Sequence, residues 1–246
     1  MGPSEEGRVS SLLLSDNFNP QLFVDAARFL ADNPHLIWHK VVEHLVLSVT
    51  ALGVALLIGL PIGVVLGHRH RGSFLAINVS NVGRALPTLA IVAIGIAVFG
   101  IGFTNVMVAL AILAIPPILT NAYVAVDEVE PDIVESARGM GMTETQILFR
   151  VELPLASPLI FAGVRTAAVF VVASATIAAI AGGGGLGDII VDQASYRLDG
   201  VIAASLVVSA LAFAADGLIG LVQRIVTPEP LREKGYRAAS RADTAR

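Results

Sequence analysis

Residues 85–126 read ALPTLAIVAIGIAVFGIGFTNVMVALAILAIPPILTNAYVAV, a run without a single Asp, Glu, Lys or Arg. A helix rises about 1.5 Å per residue and the hydrocarbon core of a bilayer is about 30 Å thick, so about 20 apolar residues cross it. This run is long enough to cross twice. Three more charge-free runs, 45–67, 166–187 and 200–215, supply one span each. The chain is 55% hydrophobic and 15% charged, where a soluble domain carries about a quarter charged residues. Its mean hydropathy is +0.77. The expected fold is therefore all-α: a polytopic membrane bundle with spans near 44–67, 74–99, 104–126, 157–181 and 200–222.

The placement of Lys and Arg sets the expected orientation. Arg69, Arg71, Arg84, Arg138, Arg150, Arg165, Arg224, Arg232, Lys234, Arg237, Arg241 and Arg246 collect on one side, and Arg8, Arg28, Lys40 and Arg197 on the other. The N-terminus is expected outside and the C-terminus in the cytoplasm of a bacterial cell. Residues 1–43 form an extracytoplasmic region, 44–226 the membrane domain and 227–246 a basic, disordered tail near the anionic inner leaflet. Residues 1–44 are polar and acidic, so no cleavable signal is expected. The chain has no cysteine, which excludes disulfides and thiolate metal sites. The net charge of −4 says little about partners.

Local signals refine this outline. Asn19-Pro20 and Asn33-Pro34 read as caps followed by a first-turn proline. Leu22, Phe23, Ala26, Phe29 and Leu30 form a stripe, expected on a helix lying at the outer surface. Trp38 falls where an interfacial aromatic belongs. Gly59, Gly63 and Gly67 repeat every four residues and predict a close helix–helix approach. Arg84 and Pro87 predict a kink or a separate first turn in the second span, and Pro116-Pro117 interrupted hydrogen bonding in the third, read as a kink ahead of a pathway-lining break.

Between the third and fourth spans lies a charged loop, about 127–156. Pro131 and Asp132 open a short helix over 131–138, ended by Gly139 and Gly141. Thr143-Glu144-Thr145-Gln146 is a capping box, flanked by Met142 and Ile147 as a hydrophobic staple. Pro154 and Pro158 are expected to end that second helix. Asp127, Glu128, Glu130, Asp132, Glu135, Glu144 and Glu152 outnumber Arg138 and Arg150. The plain alternative is a solvated loop lying on the membrane surface.

This loop resembles the EAA motif of permease subunits in ABC importers, E-A-A-x3-G-x9-I-x-L-P. Glu135, Ala137, Gly141, Leu153 and Pro154 match it, while Ser136 and Val151 replace an alanine and an isoleucine. The resemblance runs from about residue 44 to 223. With 182–188 included, it is nearest the importers of quaternary-amine osmoprotectants (glycine betaine, choline, carnitine, proline betaine), with methionine-importer permeases as the rival. It implies a five-span core, pairing with a second permease, identical or paralogous, and a separate binding protein. It also implies a coupling helix seated on a separate ATP-binding cassette ATPase, with Glu135, Ser136, Ala137, Gly139, Gly141, Thr143, Leu153 and Pro154 as the coupling-loop residues.

Other features are weighed against plainer readings. Gly182, Gly183, Gly184, Gly185 and Gly187, with Asp188, satisfy G-x-G-x-x-G. The run follows a membrane helix rather than a strand, so a dinucleotide site is not expected. A hinge or gate and a plain tight turn stand at even odds. No G-x-x-x-x-G-K-[ST] occurs, so ATP is expected on the partner and no cofactor on this chain. No catalytic residue is expected. His35, His39 and His44 lack the companions of a metal site, and no metal is expected. His68-Arg69-His70-Arg71 reads as a stop with side chains snorkelling to headgroups. Asp216, about 12 Å along the helix from Arg224, reads as pairing with a neighbouring helix rather than carrying protons. One Trp and three Tyr are too few for an aromatic cage around a quaternary ammonium. Selectivity is therefore expected in the binding protein. A passive channel is the reading from another class, a membrane-embedded enzyme the weakest, and nucleic acid is not an expected partner.

Overall fold

The computed structural model describes residues 21–71 and 87–227, with Phe74, Asn78 and Asn81. Helix α1, Gln21–Asp32, precedes the long helix α2, Pro34–His68. A shorter helix α3, Thr88–Phe99, leads to α4, Phe103–Asp127. The charged loop follows as α5, Pro131–Gly139, and α6, Glu144–Ile147. A π-helical turn, Leu148–Glu152, joins α6 to α7, Leu153–Ser174. A 3-10 stretch, Ala175–Ala181, then α8, Gly187–Val191, and α9, Gln193–Val226, complete the chain. Among the described residues no strand occurs.

Among the described residues, four helical stretches are long and apolar enough to cross a membrane: Pro34–His68, Phe103–Asp127, Glu144–Ala181 and Gln193–Val226. Of the expected second span, the described part is α3, about 18 Å long, with Phe74, Asn78 and Asn81 also helical. Pro87 before it is extended (φ −67°, ψ 126°), so the helix starts afresh after the proline instead of bending at it. Most of 74–86, Arg84 included, lies outside the described residues, as do the Asn19-Pro20 cap and the tail beyond residue 227.

The helices stack in the order α2, α4, α7, α9, with α1 resting on the start of α9. Phe29 of α1 meets Tyr196 edge-on at 6.4 Å between ring centroids, and the missing side chain of Gly200 makes room for Phe29. The stripe expected to lie on the membrane therefore packs on protein through Ala26 and Phe29.

Small residues dominate the core: Ala51, Ala55, Ala114, Ala167, Ala175 and Ala178 are buried among Leu47, Leu110, Ile118 and Val171. Lipid is as apolar as leucine, so helices in a bilayer associate through close packing rather than through a hydrophobic drive. The glycine stripe shows this directly. An ideal Cβ on Gly63 would lie 2.5 Å from the Leu119 carbonyl oxygen, and one on Gly67 2.7 Å from that of Tyr123.

The prolines of α4 and α7 leave the helices continuous, against the expectation for Pro154. α4 runs unbroken through Pro116 and Pro117, although they remove the donors to the carbonyls four residues earlier. It is enclosed by α2 and α7, and Gly163 lets α7 approach the Pro117 carbonyl, whose oxygen accepts from Asn121 Nδ2 at 2.7 Å. Likewise Pro154 does not end a helix. It sits in the first turn of α7, where no intrahelical donor is needed, and the π turn carries the chain on from α6.

Replacing Gly63 with Val should destabilise the bundle by about 1–3 kcal/mol. Gly53→Val, on the same helix with nothing within 4 Å of its ideal Cβ, should change stability by about 0.5 kcal/mol or less. Thermal unfolding in detergent checks this; equal melting of the two variants would remove the close-approach argument.

Candidate functional site

The charged loop folds as a small unit with a core of its own. Val129, Val134, Ala137 and Ile147 are buried together, with Met142, Val151 and Leu155 packed around them. Gly141 supplies the turn that closes the unit. Its N–H donates to the Arg138 carbonyl and the Met142 N–H to that of Ala137, the paired bonds of a Schellman end. The turn requires φ +83° at Gly141, where a side chain would strain the backbone. Gly139, named with it as the stop, is the last residue of α5.

The second half is fixed by the capping box. Thr143 Oγ1 accepts from the Gln146 N–H at 3.3 Å, and Gln146 Oε1 accepts from the Thr143 N–H at 2.9 Å. Arg138 adds a two-pronged contact to Glu144, 3.1 Å on each side. Glu135 and Ser136 face outward, whereas Ala137 is buried at the centre of the unit. Leu153 packs with Val64, Val126 and Ala156 where the loop joins the bundle. Pro154 is half-buried, and its carbonyl accepts from Ser157 Oγ at 2.9 Å. The outer surface thus combines Asp132, Glu135 and Glu144 with two bare apolar side chains, Met140 (76% exposed) and Phe149 (63%).

The sequence reading missed what ties this unit to the bundle. His68 at the end of α2 donates through Nδ1 to Glu152 at 2.6 Å, and the Glu152 side chain is buried. Its Nε2 lies 3.9 Å from Glu144. His70 reaches Asp127 at 2.9 Å, and Tyr123 donates to the same carboxylate. The four-residue run expected to snorkel therefore divides: Arg69 and Arg71 are exposed, while both histidines turn to carboxylates of other elements. A cavity of about 500 Å³ opens beside them, bordered by His68, His70, Pro131, Glu135, Arg138 and Glu152.

At the far end of the bundle, the glycine run makes a turn with positive φ at Gly182 (68°), Gly184 (77°) and Gly185 (91°). It is tethered. The Gly185 N–H donates to Glu43 at 2.9 Å, and Lys40 bridges Glu43 (2.8 Å) and Asp188 (2.7 Å). Gly187 lies against the Thr176 backbone with no room for a side chain, and Gly183 against Val106 and Ala178. The buried His44 shares a hydrogen bond with the Val172 carbonyl at 2.9 Å, just before α7 tightens into its 3-10 end. Lys40, Glu43 and His44 are spaced for one helix face, the sequence signal available for this cluster.

Within the bundle, Arg165 of α7 grips Asp216 of α9 through two hydrogen bonds, Nε to Oδ1 at 2.8 Å and Nη2 to Oδ2 at 2.6 Å. Asp216 thus pairs with a neighbouring helix, and Arg165 sits inside a helix rather than among the loop-end cations.

Residues 55–227 match the binding-protein-dependent transport system inner membrane component family. The chain belongs to that family. It is a permease-type, multi-pass membrane protein. It is 36% identical over 202 residues to the choline transport system permease protein OpuBB of Bacillus subtilis (strain 168), covering 82% of this chain and 93% of that one. The glycine betaine/carnitine/choline transport system permease protein OpuCB of the same organism is 36% identical over 205 residues, covering 83% and 94%. Among solved structures, the chain resembles the MetNI methionine ABC transporter in an inward-facing form, with a TM-score of 0.69 at 23% identity. That match covers 80% of this chain and 99% of the other. The all-α importer-permease fold expected from the loop is the fold observed.

Removing one partner of a buried pair costs about 3–5 kcal/mol, while replacing both by apolar residues is often close to neutral. His68→Leu should therefore melt below His68→Leu/Glu152→Leu in detergent. A double variant no more stable than the single one would mean that the pair does not anchor the loop.

Proposed function

We propose that this chain is the membrane subunit of an ATP-driven importer for quaternary-amine osmoprotectants such as choline, glycine betaine or carnitine. Two permeases, identical or paralogous, form the pathway between them. A separate binding protein delivers the solute, and a separate ATPase docks on each loop. The N-terminus lies outside and the C-terminus in the cytoplasm, which turns the charged loop toward the ATPase.

The carrying observation is the loop itself: a unit with its own buried core, closed by Gly141 and capped by Thr143, which leaves Met140 and Phe149 exposed along with Asp132, Glu135 and Glu144. Exposed apolar groups on a rigid, charged rim suit a protein partner better than water. The choice of solute is supported by the names of the relatives and by the shortage of aromatics, which leaves selection to the binding protein. The chain has positioning residues and no hydrolytic ones. ATP closes the two ATPases, the loops pass the movement through α7 and α2, and the pathway opens toward the loaded binding protein. Hydrolysis and release restore the inward-facing state. Glycine residues 182–185 and 187, with Asp188, act at the outer end as a tethered hinge.

Reconstituted with its binding protein and ATPase, the complex should import labelled choline or glycine betaine, and excess methionine should not compete. Methionine uptake in place of these solutes would overturn the substrate assignment. Gly141→Asp should leave membrane insertion intact and abolish solute-stimulated ATP hydrolysis; normal stimulation in the assembled variant would refute the coupling role.

A further inference from the structure

The Arg165–Asp216 pair joins α7 and α9 within their membrane-spanning length. Arg165 is about 18 Å along α7 from Leu153, and Asp216 about 15 Å along α9 from Val226. Measured instead from the expected span ends at residues 157 and 222, Arg165 lies about 12 Å and Asp216 about 9 Å inside, within a hydrocarbon layer about 30 Å thick. Yet in the single chain their side chains are 38% and 37% exposed. A charged group presented to lipid costs up to about 3 kcal/mol at the centre of that layer, and such groups almost always face protein or water-filled cavities. This face of α7 and α9 is therefore not a lipid face.

Two observations favour water over a dry protein interface. A guanidinium has five N–H donors, and Asp216 takes two of them. Among the described residues no other acceptor engages Arg165. Donors left over in a dry interface would each carry a desolvation cost. A cavity of about 420 Å³ also opens at the pair, bordered by Ala162, Thr166, Val169 and Phe170. It is large enough for a small solute with its water. The Phe170 side chain stands half-exposed on this side of α7.

We infer that this cavity lines the solute pathway and that Arg165, Asp216 and Phe170 form a transient contact for a small zwitterion bearing a carboxylate and a quaternary ammonium. The free edge of Arg165 receives the carboxylate in charge-assisted hydrogen bonds. The ammonium passes between the Asp216 carboxylate and the Phe170 ring face. One ring is not a cage, so the contact is weak, as a transit point requires. The solute chemistry rests on the proposed osmoprotectant reading; the placement of the pathway does not.

The chain contains no cysteine, so single-cysteine variants report directly. In the complete complex with binding protein and ATPase, Thr166→Cys and Phe170→Cys are treated with trimethylammonium-ethyl methanethiosulfonate, a water-borne cation. Leu218→Cys, 68% exposed and on the opposite side of α9 from Asp216, is the control. The first two should react at least tenfold faster than the control, and glycine betaine during ATP turnover should slow them. Unreactive cysteines that instead cross-link two permease copies on oxidation would overturn the inference, placing the pair in a dry interface. Arg165→Gln should then lower the flux of glycine betaine relative to choline, which lacks a carboxylate, at least fivefold. Equal loss of both fluxes, as from a purely structural pair, would remove the solute contact. Failure of the wild-type complex to carry either amine would sink the substrate reading alone, since cysteine reactivity reports the pathway independently.

Discussion

Between α2 and α4 the two backbones approach until no side chain fits between them. Gly63 and Gly67 face the carbonyl oxygens of Leu119 and Tyr123, and Gly59 faces that of Ile115 at 3.3 Å from its ideal Cβ. In a lipid solvent this closeness is the available source of adhesion, because exchanging lipid for leucine gains little. Its consequence is stiffness. α4 is held so firmly between α2 and α7 that two consecutive prolines fail to break it, and the other helices can be referred to it as a fixed axis.

Against that axis, α7 is held at both ends by α2. At the loop end, His68 is bonded to Glu152 in the π turn. At the other, His44 meets the Val172 carbonyl, Glu43 holds the Gly185 N–H and Lys40 holds Asp188. The charged loop continues into α7 through a helical run, with no flexible joint between them. A push on the loop therefore reaches α7 along its own axis and α2 through the short hydrogen bond between His68 and the buried Glu152. The π turn is the irregular step in this train. The Leu153 N–H reaches back to the Leu148 carbonyl, so the helix widens where Pro154 would otherwise strain it.

What the sequence revealed, and what it did not, follows from the range of each interaction. The capping box at Thr143 and the turn at Gly141 are bonds between residues three to five apart, and their residue types announce them. The glycine stripe and the charge-free runs report a period and a length, so the bundle and the α2–α4 contact were legible as well. His68–Glu152 and Lys40–Asp188 join residues 84 and 148 positions apart, and nothing in either neighbourhood points to the other. The Pro154 error has the same origin. A proline's local effect is to break a helix, but enclosure of α4 and the π turn before α7 decided the outcome, and both are tertiary. Asn33-Pro34, by contrast, marked the start of α2 ten residues before the expected start of the span, and the helix begins there.

The helices also differ in how far the single chain encloses them. α4 buries residues on nearly all sides, whereas α9 buries little beyond Gly200, Ala203, Ala204 and Val208. A bare α9 would be unremarkable for a membrane helix if its open side were uniformly apolar, as Phe213 and Leu218 are. Asp216 breaks that uniformity. A helix can present leucine to lipid and a carboxylate to water, but not both on one face at the same depth. The open surface of α9 must therefore face two environments, and the boundary between them runs along the helix beside Asp216. A lone copy in a bilayer offers hydrocarbon on every open side. In the proposed assembly it is the second permease that supplies the aqueous side.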